Sequence, residues 1–316
     1  MRIVIIGPAS PIPPKGWGAV ESLIWDYKIV LETEYGHSIL IINQTNDIDI
    51  IQKVNAFHPD IIHIQYDDFW YLWDKFNCKR VIITNHFAYL ENRHLRKHDH
   101  LLGISKSDAF IHCLSEGIQR VYVQDYHVPI ERTFILPNGA NDKLFNYREE
   151  VLYKDRSIYL AKIDCRKRQS IYQFIDCIDF AGNLADRNFF PNHPNYKGEW
   201  TKEFLYEHLT DYPNLVLLSD GEAHPLVCCE ALICGLGLVI SEFAAANLNR
   251  SLPWIDVIPT DKLNDLAYVK KIILENQRKS IMYRKDIRAY GLKNFTWTVV
   301  VQKYMNAIEN FSDIKV

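Results

Sequence analysis

The chain lacks any apolar run long enough to cross a bilayer, and no transmembrane helix is expected. It contains no internal repeat and no low-complexity tract, which excludes solenoid and linker-type architectures. No secretory signal is expected, because the run 3–6 between Arg2 and Gly7-Pro8 is too short for a signal's apolar region. An excess of one charge is also missing, with 36 basic residues against 39 acidic ones, and no basic block exceeds Arg166-Lys167-Arg168. Nucleic acid is therefore not the expected main partner, whereas a phosphate-bearing small molecule is compatible. A disulfide framework is absent too. The seven cysteines (Cys78, Cys113, Cys165, Cys177, Cys228, Cys229 and Cys234) are odd in number and scattered through apolar segments. That usage fits a reducing compartment, and a cytoplasmic location is expected, with peripheral association to a membrane surface left open.

What is present is apolar sequence in short blocks. With 316 residues, 48% of them hydrophobic, the chain can bury a large core, and a prior of about 150 residues per domain gives two domains with one cleft expected between them. Ile- and Val-rich runs at 3–6, 39–42, 61–64, 81–84, 109–114 and 133–136 alternate with helical stretches. Continuous apolar runs of this length read as buried parallel strands. Between the first two, Leu23, Ile24, Tyr27, Val30 and Leu31 fall on one stripe of a helix over 21–34, giving a β-α-β unit whose first loop is 11–18. A second series runs through 157–160, 174–180, 215–218 and 238–241. The fold class expected is α/β, two Rossmann-like units with parallel sheets, dividing near the polar stretch 146–154. Ligands of open α/β sheets bind outside the carboxyl ends of the strands, where both the Gly16/Gly18 loop and the loop carrying Glu222 would fall.

Glu222 and Glu230 are the most informative pair. In Gly221-Glu222-Ala223-His224-Pro225-Leu226-Val227-Cys228-Cys229-Glu230, Pro225 suits a first helical position, and Gly235 and Gly237 suit the helix end. Glu222 would then precede the helix and Glu230 lie about one and a half turns inside it, a gap on the order of a pyrophosphate at roughly 1.5 Å per residue. The helix N-terminus in that gap offers backbone N–H groups and a positive dipole end to a diphosphate. The alternative is a surface loop acid at 222 and a solvated helix face at 230, which the apolar neighbours of Glu230 make hard to arrange.

These residues resemble the retaining nucleotide-sugar glycosyltransferases of the GT-B fold, in particular glycosyltransferase family 4, over nearly the whole chain. The E-x7-E signature runs from Glu222 to Glu230 and continues into Ala231-Leu232-Ile233-Cys234-Gly235-Leu236-Gly237-Leu238-Val239-Ile240. Gly16-Trp17-Gly18-Ala19-Val20-Glu21 is similar to the family's glycine loop, Gly36-His37-Ser38-Ile39 to its G-H-x-V, and Pro59-Asp60-Ile61-Ile62-His63 to its P-D-hydrophobic-H-x-H segment. Thr84-Asn85-His86, Pro137-Asn138-Gly139 followed by Phe145, and Phe295-Thr296-Trp297 continue the series in the family's order. The diphosphate motif G-R-x4-K departs: it stands here as Ala161-Lys162-Ile163-Asp164-Cys165-Arg166-Lys167, with Lys162 in the arginine position. Lysine keeps the charge and loses the bidentate fork, for which Arg166 could compensate. Asn141 replaces an aspartate, and His224 stands where glycine or phenylalanine is usual.

The resemblance implies a metal-independent retaining transferase without a resident cofactor, using a UDP-, GDP- or similar sugar as co-substrate and a carbohydrate-type acceptor. It implies an acceptor-binding domain over 1–150, a donor-binding domain over 151–295, and a C-terminal helix within 296–316 that crosses back to the first domain. Glu222 would bind donor-sugar hydroxyls, Glu230 the ribose hydroxyls, and His86 the region of the anomeric centre. Lys162, Arg166 and Lys167 would neutralise the diphosphate, while Gly16, Gly18, His224, Pro225, Leu226 and Val227 complete the donor-binding set. Retention would follow from front-face attack, with the donor phosphate taking the acceptor proton. No Asp-x-Asp metal motif is required, since Asp47-Ile48-Asp49 precedes a helix and does not end a strand.

Other readings rest on composition. Tyr66, Asp67 and Trp70 belong to an aromatic and acidic segment that could stack on and hydrogen-bond an acceptor sugar, or form an amphipathic helix under the core. His63 reads as a packed core histidine. The run from His94 to His100 invites zinc, but Arg93, Arg96 and Lys97 oppose a cation, and it reads as a solvated loop. The stretch Tyr196-Lys197-Gly198-Glu199-Trp200 is a candidate for stacking on the nucleotide base. Two competing functions remain: a catalytically silent GT-B protein that binds a nucleotide sugar or a partner, and a nucleotide-sugar epimerase.

Overall fold

The structure, a computed structural model, describes residues 1–309. Residues 310–316, the end of the expected segment 296–316, lie outside the described residues. The chain divides into two compact units, one built from Met1–Asn138 with the helix Trp297–Glu309, the other from Gly139–Thr296.

In the first unit the apolar runs become β1 (Arg2–Ile6), α1 (Ala19–Thr33), β2 (Ser38–Ile42), α2 (Asp47–Phe57), β3 (Ile61–Ile64), β4 (Val81–Thr84), α3 (His98–Lys106), β5 (Phe110–Cys113), α4 (Glu116–Arg120) and β6 (Thr133–Ile135). The six strands are parallel in the order β2-β1-β3-β4-β5-β6. β3, β4 and β5 are buried at every position, which is why they read as unbroken apolar runs. The buried face of α1 consists of Leu23, Ile24, Tyr27, Val30 and Leu31, the stripe expected from the sequence.

The second unit contains β7 (Ser157–Leu160), α5 (Gln169–Tyr172), β8 (Ile178–Ala181), α6 (Lys202–His208), β9 (Asn214–Leu217), α7 (Leu226–Ile233), β10 (Gly237–Ser241), β11 (Ile255–Ile258), α8 (Leu266–Met282) and α9 (Arg284–Phe295). Its five parallel strands run β11-β10-β9-β7-β8. The chain then returns to the first unit as α10 (Trp297–Glu309). There Tyr304 packs edge-on against Tyr27 of α1 at 5.5 Å, and Thr298 donates to Glu34 at 2.9 Å.

Three details differ from the sequence reading. The run 174–180 yields a strand only from Ile178, because Phe174 is exposed and the chain turns before it. β11 was not anticipated: its Ile-Asp-Val-Ile sequence is short and interrupted by an acid that pairs with Lys279 at 3.0 Å. The units divide at Asn138/Gly139 and not at 146–154. That polar stretch is fastened to the second unit, with Phe145 against Tyr206 at 4.9 Å, Asn146 N–H donating to the Tyr206 carbonyl at 2.9 Å, and Arg284 donating to the Arg148 carbonyl at 2.7 Å.

Both sheets reverse their direction of growth once, between β1 and β3 in the first unit and between β7 and β9 in the second. Loops leaving the carboxyl ends of such strands splay apart and leave a crevice for a ligand.

Candidate functional site

In the second unit, the loops after β7 and β9 carry Arg166, Lys167 and Glu222. Asp164 caps the single turn Cys165–Lys167, its carboxylate accepting from the Lys167 N–H at 2.9 Å. Tyr159, fully buried in β7, ties the two loops together: its hydroxyl donates to the Lys167 carbonyl and accepts from the Leu218 N–H at 2.9 Å. The Asp220 N–H donates to the Arg166 carbonyl at 3.0 Å, and Arg166 Nη1 donates to the Gly221 carbonyl at 2.6 Å. Backbone and side chain thus hold both loops in one register.

That stitching brings three charges together. Lys167 Nζ donates to Glu222 Oε1, and Arg166 Nη1 lies 3.3 Å from the same oxygen. The Lys167 and Glu222 side chains are 11% and 9% exposed, which makes their attraction far less screened than a surface pair. Arg166 joins the cluster. Lys162 does not: its side chain is exposed and makes no ion pair among the described residues, while its carbonyl accepts from Gln169 at 3.0 Å.

Helix α7 begins one residue later than the sequence indicated, with Pro225 as its cap and Leu226 as its first helical residue. No side chain caps this end, so the first-turn N–H groups of Leu226 and Val227 are left to a ligand or to solvent. His224 is buried, its ring 6.3 Å from that of Phe295. Glu230 is partly exposed although both its chain neighbours, Cys229 and Ala231, are fully buried. The helix ends at Ile233, and Gly235 takes the left-handed conformation (φ +80°) beyond it. Trp200 is buried and packs on Phe204 at 5.1 Å, so it cannot serve as a platform for a base; the Tyr196 hydroxyl donates to the Gly182 carbonyl at 3.0 Å.

In the first unit, Gly16 stands in open space and Gly18 precedes α1 in an extended conformation. A Cβ on Gly18 would meet Glu21 Oε2 at 2.8 Å, and Glu21 in turn accepts from Ser10 at 2.6 Å. Close approach at Gly18 is thus made by Glu21 of the first turn of α1. His86, just after β4, is partly exposed, with Nε2 2.9 Å from Gln65 Oε1. Burial, followed by the neighbouring His112, lowers its pKa to about 3. His63 is a core histidine as expected, 1% exposed.

Tyr66, Asp67 and Trp70 lie on and just before a 3-10 turn, Asp67–Leu72. The Trp70 ring covers Gly103 of α3 so closely that a Cβ there would come within 2.2 Å of it. Asp67 is buried, and burial raises its pKa. Its Oδ2 lies 3.5 Å from His100 Nδ1, which is also 3.7 Å from Asp68 Oδ1. Among the described residues, Asp67, Asp68 and His100 form the group whose ligand atoms converge as a metal site requires. Lys97, 3.4 Å from Asp68, already places a cation there. Sequence reasoning passed over Gln65, which connects His63 to His86, and His112, which reaches His63 through Thr84; polar residues inside or just beyond otherwise apolar strands were the available signal.

No protein-family model matches the chain, and no curated protein matches it by sequence. Solved structures do match it. HepE of Anabaena, crystallised in complex with UDP and glucose, is 13% identical with a TM-score of 0.74, over 99% of this chain and 100% of that one. Sucrose-phosphate synthase from Thermosynechococcus elongatus is 15% identical with a TM-score of 0.74, again over 99% and 100%. The lipopolysaccharide outer core galactosyltransferase WaaB is 13% identical with a TM-score of 0.71 over the same shares. At these identities the likeness is one of fold, and that fold is GT-B.

Proposed function

We propose that the chain is a retaining, metal-independent glycosyltransferase that moves a sugar from a nucleotide-diphosphate donor to a hydroxyl of a glycan or other acceptor. The observation that carries this reading is the meeting of Lys167 and Arg166 with Glu222 beside the uncapped N-terminus of α7, at the point where the second sheet reverses. A diphosphate fits the cations and the helix N–H groups by charge. Its leaving charge is what Lys167 and Arg166 would neutralise, with Lys162 free to swing in from solvent.

Glu222 is assigned to hydroxyls of the donor sugar and Glu230 to the ribose, since a carboxylate accepts two hydroxyl protons well. His224, Pro225, Leu226 and Val227 are assigned to the phosphates, and Gly16 and Gly18 to donor binding from the first unit. His86 is assigned to a substrate hydroxyl, and Tyr66, Asp67 and Trp70 to the acceptor. The donor phosphate is the proton acceptor for front-face attack, and no resident cofactor is called for.

Because HepE was crystallised with UDP and glucose, UDP-glucose heads the donor panel. Turnover in the presence of EDTA, with the anomeric configuration of the product followed by proton NMR, tests the mechanism. Retention undiminished by EDTA supports it, while inversion or loss of activity on chelation overturns it. Donor binding without turnover identifies a silent binding protein, and conversion of the donor without acceptor identifies an epimerase.

A further inference from the structure

Five polar side chains and one backbone carbonyl of the first unit form one continuous hydrogen-bonded chain. His112 Nε2 lies 2.8 Å from the Leu136 carbonyl, His112 Nδ1 lies 2.8 Å from Thr84 Oγ1, and Thr84 Oγ1 lies 2.7 Å from His63 Nε2. His63 Nδ1 is 3.4 Å from Gln65 Nε2, and Gln65 Oε1 is 2.9 Å from His86 Nε2. Thr84 and His112 are direct register partners on adjacent strands, so the chain runs across the carboxyl ends of β3, β4 and β5. His63, Gln65, Thr84 and His112 are each no more than 2% exposed.

The sense of this chain is fixed at its buried end. A carbonyl can only accept, so His112 Nε2 carries a proton. Burial holds His112 neutral, with its pKa lowered to about 4, so its Nδ1 must accept from the Thr84 hydroxyl. The Thr84 oxygen then accepts from His63 Nε2–H, and the neutral His63, its pKa likewise lowered by burial, accepts at Nδ1 from the Gln65 amide N–H. The other end of the amide is a carbonyl oxygen, which can bind His86 only through an Nε2–H. Each link excludes the reverse assignment of the next.

Rings pack this chain rigidly. Tyr304 of α10 stacks on His63 at 5.5 Å and 9°, and Phe134 stacks on His112 at 5.2 Å and 12°. Tyr27 of α1 meets His63 edge-on at 6.4 Å. The ionisable groups packed on the chain, Tyr27 and Tyr304, have pKa values raised by burial and stay uncharged.

We infer that the Leu136–His112–Thr84–His63–Gln65 chain is a tautomer lock that keeps the proton of His86 on Nε2 and presents Nδ1 as a hydrogen-bond acceptor. An acceptor nitrogen takes a hydroxyl and turns away the oxygens of phosphate or carboxylate. His63, Gln65, Thr84 and His112 are then positioning residues for a hydroxyl-selective His86. The tautomer itself is a property of the free protein, whereas its kinetic consequence rests on the transferase reading above.

The test is the full chain with ring-15N histidine, the His86 signals being identified by their loss in His86→Gln. The wild type should show an Nε2–H, bare-Nδ1 ring at His86. Thr84→Val, which removes the hydroxyl and keeps the shape, should give a mixture of tautomers at His86, and Thr84→Ser should restore one. Gln65→Met, which keeps the length of the side chain and breaks the chain at its outer end, serves as the second variant; it should release the His86 tautomer and leave His112 unchanged. On a donor that the wild type turns over, Gln65→Met should lower kcat about tenfold with KM within about twofold, the effect of one misplaced hydrogen bond. An Nδ1–H on His86 in the wild type, or tautomers indifferent to both substitutions, overturns the inference. Absence of turnover with every donor would sink the transferase reading and leave the ring nitrogens to decide this one.

Discussion

Lys167 and Glu222 form an ion pair in which both side chains are nearly withdrawn from solvent, and Arg166 stands 3.3 Å from the same carboxylate oxygen. One carboxylate oxygen therefore serves two cations. Glu222→Gln leaves both without their counter-charge, at an expected cost of about 2–4 kcal/mol in urea unfolding, as for a buried pair that loses one partner. A cost below about 0.5 kcal/mol would mean that the pair behaves like an exposed one.

The two lysines in the diphosphate motif are expected to differ sharply. Lys167 is locked into the cluster and Lys162 is exposed. Lys167→Met should lower kcat/KM by about 10²–10³, the scale for removing one preorganised charge from a developing anion. Lys162→Met should change it no more than about tenfold, since a solvated charge must first be drawn in. Equal losses, read as nucleoside diphosphate release, would contradict this ordering.

Stability should fall with acid through two histidines that the fold keeps neutral, His112 fully buried and His86 partly exposed. His86 and His112 have pKa values lowered to about 3 and about 4, from 6.5 when exposed. Above about pH 6.5 both folded and unfolded chains hold these rings neutral, and stability does not depend on them. Below it the unfolded chain binds protons that the folded chain refuses, so stability drops by about 1.4 kcal/mol per pH unit for each ring until pH approaches the folded values. Urea midpoints measured between about pH 7 and about pH 5 should show this slope, and His112→Gln should reduce it. A flat profile across that window would contradict the lowered pKa values of these rings.

Gly182 follows β8 with φ +147°, and a Cβ there would lie 1.9 Å from the Ala161 carbonyl oxygen. Gly182→Ala must therefore push the turn that begins at Ala161, and a loss of about 2–4 kcal/mol is expected from the clash and the strained φ together. Thermal unfolding within about 2 °C of the wild type would show that the turn yields freely.

The fold was legible where burial is complete on both faces. β1, β3, β4, β5 and β7 have no room for a polar residue at most positions, so they stand out as apolar runs, and α1 was found by its stripe. β11 was missed because an edge strand tolerates Asp256, which finds its partner on α8. The 146–154 stretch misled because its backbone and its polar side chains are engaged with the second unit in ways composition does not record. At the candidate site, the convergence of Lys167 with Glu222 follows from order along the chain, since both lie in loops that follow adjacent strands. The hydrogen-bonded path through Thr84 and His112 does not, because it joins residues on three strands and only their register brings them side by side.

Nucleoside diphosphate release, followed for the wild type and Glu222→Ala over a panel of UDP-, GDP- and other nucleotide sugars with and without carbohydrate acceptors, tests the central claim most directly. Acceptor-dependent release from at least one donor, reduced by about two orders of magnitude or more in Glu222→Ala, is the expected result. No release by the wild type from any donor, or release unaffected by the loss of Glu222, would contradict the account.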